Sequence, residues 1–431
     1  MIAGMPGSPQ SAFVARLREQ ILPLRARAEL RNDWLRSRLD TVLPAIMARE
    51  GFDLWIVAAR EYNEDPVIMT LLPEPAMAAR RRTILVFSRQ PDGTVERLTL
   101  DRYGFGDFYQ RGWDADATET QDECLHRIVA ERNPQSIGIN VSEDFAFGDG
   151  LSHQEWEQVA AALGDTLMDR TLSAERLAIG WLERRIPAEL ALYPQLIQLG
   201  HAIIAEAYSR RTIQPGVTTT DDVVWWMRQT MLDAGLQAWF QPSIAIQAHG
   251  KRYDDRADTR TRILPGDVLH CDVGFNYLGL ATDHQQHAYI LKPGETDAPA
   301  GLKAALAAGN RLQDIHCAAM QVGRTGNQVL AAALARANAE GILPSIYSHP
   351  LGYHGHAAGP TIGLWDNQNG VPGRGDYELF DDTCYSIELN IRHNVPEWAN
   401  QEVRIALEED AVLTNGTVSW LTDRQTAWHL I

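Results

Sequence analysis

The chain has 431 residues, of which 45% are hydrophobic and 22% charged, an ordinary balance for folded proteins that excludes a disordered chain. Its formal net charge of −17 argues against nucleic acid and anionic membranes as main partners. The 4 cysteines, Cys124, Cys271, Cys317 and Cys384, stand far apart with no CxxC, which argues against a disulfide framework or a thiolate zinc site and fits a reducing compartment.

The N-terminal stretch MIAGMPGSPQSAFVARLREQ lacks a basic start followed by a long apolar run, so no signal peptide is expected. No apolar stretch approaches the ~20 residues that span a bilayer, and a cytoplasmic protein is expected. Helical periodicity begins at Ser11 and runs, rich in arginine, to Glu50. Strands FDLWIVAA, RTILVFSR and TVERLTL follow, then the helix TETQDECLHRIVAERN, the strand SIGINVS and the helix SHQEWEQVAAALG. This alternation predicts a small α/β domain over residues 1–175, and it contains no nucleotide-binding Gly-rich loop. A second domain is predicted over 176–431. There, two long helical patterns flank TIQPGVT, with Thr218 to Thr220 placed to cap the second. Strands, another helical pair and more strands follow, which hints at a duplicated α+β plan. Trp225, Trp226 and Trp239 read as core or dimer-contact residues.

The stretch HCDVGFNYLGLATDHQQHAY, starting at His270, alternates, turns, and alternates again. A turn centred on Tyr277 and Leu278 sets Asp272 against Asp283. Opposed residues in an antiparallel pair have Cβ atoms about 4.5–5.5 Å apart, and like charges there are destabilising. Either a proton is shared or a cation lies between the two carboxylates. Downstream, SHPLGYHGHAAG holds His349, His354 and His356 among small residues; of these, His354 reads as a plain loop residue. In TCYSIELNI, Glu388 falls on the face opposite Tyr385, Ile387 and Leu389. In EVRIALEEDAVLT, alternation puts Glu408 with Arg404 and Ala406, and Glu409 with the apolar side, so Glu408 is the better partner for Glu388. Together these residues suggest a dinuclear site. Two divalent cations would balance Asp272, Asp283, Glu388 and Glu408, with one histidine and a bridging hydroxide completing the shell. Such a shell suits Mn²⁺, with Co²⁺, Fe²⁺ and Zn²⁺ as competitors.

In this order of ligands the sequence resembles the pita-bread metallopeptidases: Xaa-Pro aminopeptidases, prolidases and methionine aminopeptidases, with creatinase as a metal-free relative. The order Asp, Asp, His, Glu, Glu is met by Asp272, Asp283, His349, Glu388 and Glu408, the first two 11 apart. SHPLGYHGH, EEDAVLT with its following NG, and IQPGVTTTDD resemble the family's other motifs. The resemblance implies an α+β pita-bread catalytic domain behind a smaller creatinase-like α/β domain, and a homodimer that hydrolyses short peptides next to proline. It implies that Glu388 shuttles a proton to the leaving amine, and that His356 contacts the substrate. His249 and Arg404 are the nearest counterparts of further substrate-binding residues. Three places depart from the pattern: HQQ follows Asp283, His249 lies early, and Arg404 is four residues before Glu408. The alternatives are a pita-bread hydrolase of a non-peptide amide and, from another class, a peptide-binding protein without catalysis.

Overall fold

Pro23 divides the arginine-rich N-terminal pattern into two helices, Pro9–Arg18 and Leu24–Glu50. The structure, a computed structural model, describes residues 9–251, 261–356 and 358–431, so the first eight residues of the stretch read for a signal peptide lie outside it. The chain forms two units, one of Pro23–Ala188 and one of Glu189–Ile431 together with the chain before Pro23.

In the Pro23–Ala188 unit, Leu54–Arg60 is apolar and buried along nearly its whole length, as a strand covered on both faces must be. It lies centrally in a six-stranded sheet, antiparallel to Arg82–Arg89 and parallel to Ile137–Ile139. Helix Gln121–Arg132 starts at a capping box between Thr120 and Glu123 and packs Leu125, Ile128 and Val129 into the core of that sheet.

The observed division falls at 188/189, not 175/176. Helix Glu175–Glu183 is buried almost all round, and the buried Arg38 guanidinium donates to the carbonyls of Trp181 and Arg184, tying this helix to Leu24–Glu50. Conversely, Pro9–Arg18 goes with the second unit. Phe13 stacks on Trp226 at 6.1 Å, and the Leu22 amide donates to the Tyr277 hydroxyl at 2.9 Å. Sequence proximity could not show either contact.

The second unit carries the duplicated plan. Helices Pro187–Ala207 and Thr220–Ala234 precede a sheet ordered His429–Leu430, His284–Tyr289, Val268–Val273, Ser243–Gln247. Helices Ala300–Ala319 and Gly326–Ala339 precede a sheet ordered Leu343–Ile346, Leu389–Val395, Gln401–Leu407. Thr219 and Thr325 cap the second helix of each pair. Leu302, Leu306, Leu389, Ile391, Ile405 and Leu407 join one core between helices and strands. A bridge between Gln285 and Glu408 links the two sheets, with N–H···O distances of 3.0 and 3.2 Å. Among the described residues, no helix is long and apolar enough to cross a membrane.

The hairpin register differs from the expected one by two residues. Tyr277 pairs with Leu280 and Val273 with His284, so Asp272 lies opposite Gln285. The turn residues are Leu278 and Gly279, at φ 56° and 82°. A two-residue hairpin loop of this type needs positive φ at both positions, and Gly279 supplies one without steric cost. Asp272 and Asp283 therefore share a face as diagonal neighbours rather than standing opposed.

Candidate metal centre

Two hairpins bring the acidic residues together. The strand read as TCYSIELNI is broken at Ile387–Glu388, where the chain passes from Thr383–Ser386 to Leu389–Val395. Its partner breaks at Glu408–Glu409, between Gln401–Leu407 and Asp410–Thr414. The pairs Ser386↔Asp410 and Leu389↔Leu407 bracket these junctions in one register, which sets Glu388 opposite Glu408. The Gln285–Glu408 bridge then brings the Asp272/Asp283 hairpin alongside.

The result is three overlapping groups whose ligand atoms lie within 4.8 Å of one another: His349, Glu388 and Glu408; Asp272, Asp283 and Glu408; and Asp283, His349 and His356. His349 Nε2 is 3.5 Å from a Glu408 oxygen and 3.9 Å from oxygens of Asp283 and Glu388. Its Nδ1 lies 3.1 Å from the Pro350 carbonyl, which can only accept, so Nδ1 carries the proton and Nε2 turns a lone pair to the carboxylates. That buried Nε2 makes no hydrogen bond, nor does Asp283 Oδ1. Buried polar atoms are seldom left so, and these two fit an ion.

Electrostatics agree. Burial, then the charge of Glu408, pushes Asp272, Asp283 and Glu388 well above the usual carboxylate range. Burial raises Glu408 to about 7, although Ser386 Oγ (2.5 Å) and the Gln285 amide (2.7 Å) donate to it. Burial holds His349 below its usual value, as a neutral ligand needs. Four carboxylates in so little space ionise together only with compensating positive charge.

Some site residues were not visible in the sequence. Gln285, part of the HQQ departure, donates to Glu388 (2.9 Å) as well as Glu408, while its carbonyl faces His270 Nε2 at 2.9 Å. Trp239, read as core or contact, borders the site. Its indole N–H donates to the Thr282 carbonyl at 2.9 Å, and its ring meets the exposed His356 edge-on at 5.1 Å. Gly274 and Gly355 make room, since a Cβ at either would come within 2.4 Å of the indole. Of its fellows, Trp226 packs on Phe13 and Trp225 is exposed. His356 also abuts His349, with ring centroids 4.8 Å apart, and burial together with that neighbour lowers it to about 4. The structure does not bring His249 into these groups; it is exposed and stacks on Trp398 at 5.6 Å. Burial, then the nearby charge of Arg404, depresses His270.

Comparison with known proteins returns the same architecture. A search of curated proteins finds no match. Among solved structures, an X-Pro aminopeptidase from Thermotoga maritima aligns with a TM-score of 0.61 and 17% identity, over 90% of this chain and 100% of the other. A dipeptidase from Mycobacterium ulcerans aligns at 0.60 and 16% identity, over 93% and 98%. An Xaa-Pro dipeptidase from Bacillus anthracis aligns at 0.57 and 16%, over 94% and 100%. At these identities the likeness is one of fold: a pita-bread domain preceded by a smaller α/β domain. The model of metallopeptidase family M24 matches residues 195–415, just over half of the chain and the part that carries all five converging side chains, and the protein belongs to that family.

Proposed function

We propose that the protein is a dinuclear metal-dependent peptidase that cleaves short peptides at Xaa-Pro bonds, with Asp272, Asp283, His349, Glu388 and Glu408 as the metal-holding residues. The observation that carries this reading is the overlap of two ligand groups at Glu408, with the His349 Nε2 lone pair unused among carboxylates. One ion would be held by His349, Glu388 and Glu408 and the other by Asp272, Asp283 and Glu408. Bound ions would polarise the scissile carbonyl and acidify water at neutral pH. Mn²⁺ is the first ion to test, given the carboxylate-rich set.

The remaining work falls to side chains. The Glu388 side chain is 20% exposed, against 1% for Glu408, so Glu388 is the carboxylate a substrate can reach. From that position it can take a proton and pass it to the leaving amine. His356 is exposed beside this group and neutral near pH 7, so it can donate an N–H to the substrate carbonyl as negative charge develops there. Trp239 holds the His356 ring edge-on and limits its swing. Proline specificity is supported by what the aligned structures are called, and the chain's own candidate for that contact is Arg404.

The test is a panel of Xaa-Pro and Xaa-Ala dipeptides and tripeptides. It is assayed on metal-stripped protein with Mn²⁺ or Co²⁺ restored. Cleavage of Xaa-Pro bonds, lost in Asp272→Asn, is expected. Metal-restored protein that cleaves Xaa-Ala but not Xaa-Pro would remove the proline assignment, and no cleavage of any peptide would remove the peptidase reading.

A further inference from the structure

The strands that carry the acidic centre carry a second group of ligating side chains on their other face. Alternation along a strand sends Asp283 and Gln285 one way and His284 and Gln286 the other. Glu408 and Glu409 part in the same manner. On the second face, Glu409 Oε2 lies 2.6 Å from His201 Nε2 and 3.4 Å from His284 Nδ1. The two imidazoles meet edge-on with centroids 5.0 Å apart. His201 comes from helix Pro187–Ala207.

This group is built rather than incidental. Glu409 Oε1 is tied back by the Gln286 amide at 2.7 Å and the Gln425 backbone N–H at 3.3 Å, which turns Oε2 to the histidines. Gln286 is in turn fixed by His429 Nε2 at 2.8 Å. His284 is fully buried, yet neither of its ring nitrogens makes a hydrogen bond. Its ring lies where a Cβ on residue 200 would come within 2.7 Å, so Gly200 leaves the space it fills. Burying an imidazole whose nitrogens lack hydrogen bonds is costly, and coordination would offset that cost at Nδ1.

We propose that His201, His284 and Glu409 form a separate metal site, suited to zinc, back to back with the Glu408 centre. Two imidazoles and one carboxylate are a known zinc-holding set that leaves a fourth position open. Zinc–ligand bonds of about 2.0–2.2 Å place two tetrahedral ligands roughly 3.3–3.5 Å apart. The His284–Glu409 separation already has that value. Only His201, whose side chain is 24% exposed, must draw back from its hydrogen bond, and its exposed side leaves the fourth position to water. Gln286 and Gln425 are the outer partners that orient the carboxylate ligand.

The test counts ions. Full-length protein is stripped with chelator, reloaded with excess Zn²⁺, passed through a desalting column, and analysed for zinc per chain. His201→Gln and Glu409→Gln are each expected to bind one ion fewer than the unaltered protein. Since Glu409 is deeply buried, the His201→Gln variant, at a partly exposed position, keeps the test valid should Glu409→Gln misfold. Adding His201→Gln to Asp272→Asn is expected to remove a further ion beyond that lost in Asp272→Asn alone. An unchanged count in His201→Gln overturns the proposal, and so does a double variant that loses no more than Asp272→Asn. If His201→Gln loses its ion while Asp272→Asn and Glu388→Gln lose none, this site stands and the Glu408 centre does not.

Discussion

Replacing Glu408 by glutamine is expected to act in opposite directions with and without metal. In the metal-free protein Glu408 is a buried acid raised from 4.5 to about 7, chiefly by desolvation. A folded pKa above the unfolded value means that the folded state resists ionisation. The resulting destabilisation is complete above pH 7 and disappears as pH falls towards the unfolded value near 4.5. A shift of that size corresponds to roughly 3 kcal/mol. Glutamine keeps the shape and stays neutral, so metal-free Glu408→Gln should exceed the unaltered protein in stability by about this amount at pH 8, roughly 3–5 °C in Tm for a chain of this size. The advantage should shrink steadily down to pH 5. The absolute curves will turn over below about pH 6.5, because buried histidines such as His270 and His287, held neutral by burial, are protonated on unfolding. Those groups are common to both proteins and cancel in the difference. With Mn²⁺ present the sign should invert, since the variant gives up a shared ligand. Calorimetric melts of both proteins from pH 8 to 5, with chelator and with Mn²⁺, read all of this. If metal-free Glu408→Gln is the less stable protein at pH 8, the carboxylate is satisfied without a cation and the reasoning fails.

His349→Ala should lose metal and activity together. His356→Ala should keep its metal and fall roughly 10²–10³-fold in kcat, the usual scale for one transition-state donor, as Mn²⁺ titration with rate measurement will show. Gln285→Met removes the amide that donates to Glu388 and Glu408 and should destabilise the metal-free protein by about 1–3 kcal/mol in urea melts; no change would mean that water replaces the amide. Trp239→Phe loses the N–H to Thr282 but keeps an aromatic wall, so metal content should hold while kcat falls; an unchanged kcat would free His356 from dependence on the indole.

The acidic cluster was readable because residue type and spacing persist whatever the exact register. Asp272 and Asp283 reach one face whether the turn is centred on Tyr277–Leu278 or on Leu278–Gly279, since a shift of two residues preserves the face. The turn itself was misplaced because the decisive fact, positive φ at a leucine, has no sequence signal. Helix pairs were legible from periodicity and, for the first pair, from Thr218 to Thr220, of which Thr219 is the cap; the matching cap at Thr325 came only with the structure. The domain limits were not. Pro9–Arg18 and Glu175–Glu183 are amphipathic or apolar segments whose partners lie far away in the chain, and amphipathicity shows that a face is buried without showing against what.

The HQQ that follows Asp283 acquires a physical reason once both faces of the strand are considered. A lone Glu408 would need partners on one side only. Here Glu409, next to it and equally buried, points the other way, and two adjacent buried carboxylates need two sets of donors. Gln285 supplies an amide to Glu408, and Gln286 supplies one to Glu409. His284, sharing the Gln286 face, is brought against Glu409 with His201. The tripeptide therefore serves both members of the Glu408–Glu409 pair, Gln285 on one face and His284 with Gln286 on the other. An arginine in place of Gln286 would bring a full positive charge to the face where two imidazoles already meet Glu409, and would repel any cation there. A neutral amide satisfies the carboxylate and leaves its second oxygen available to the histidines.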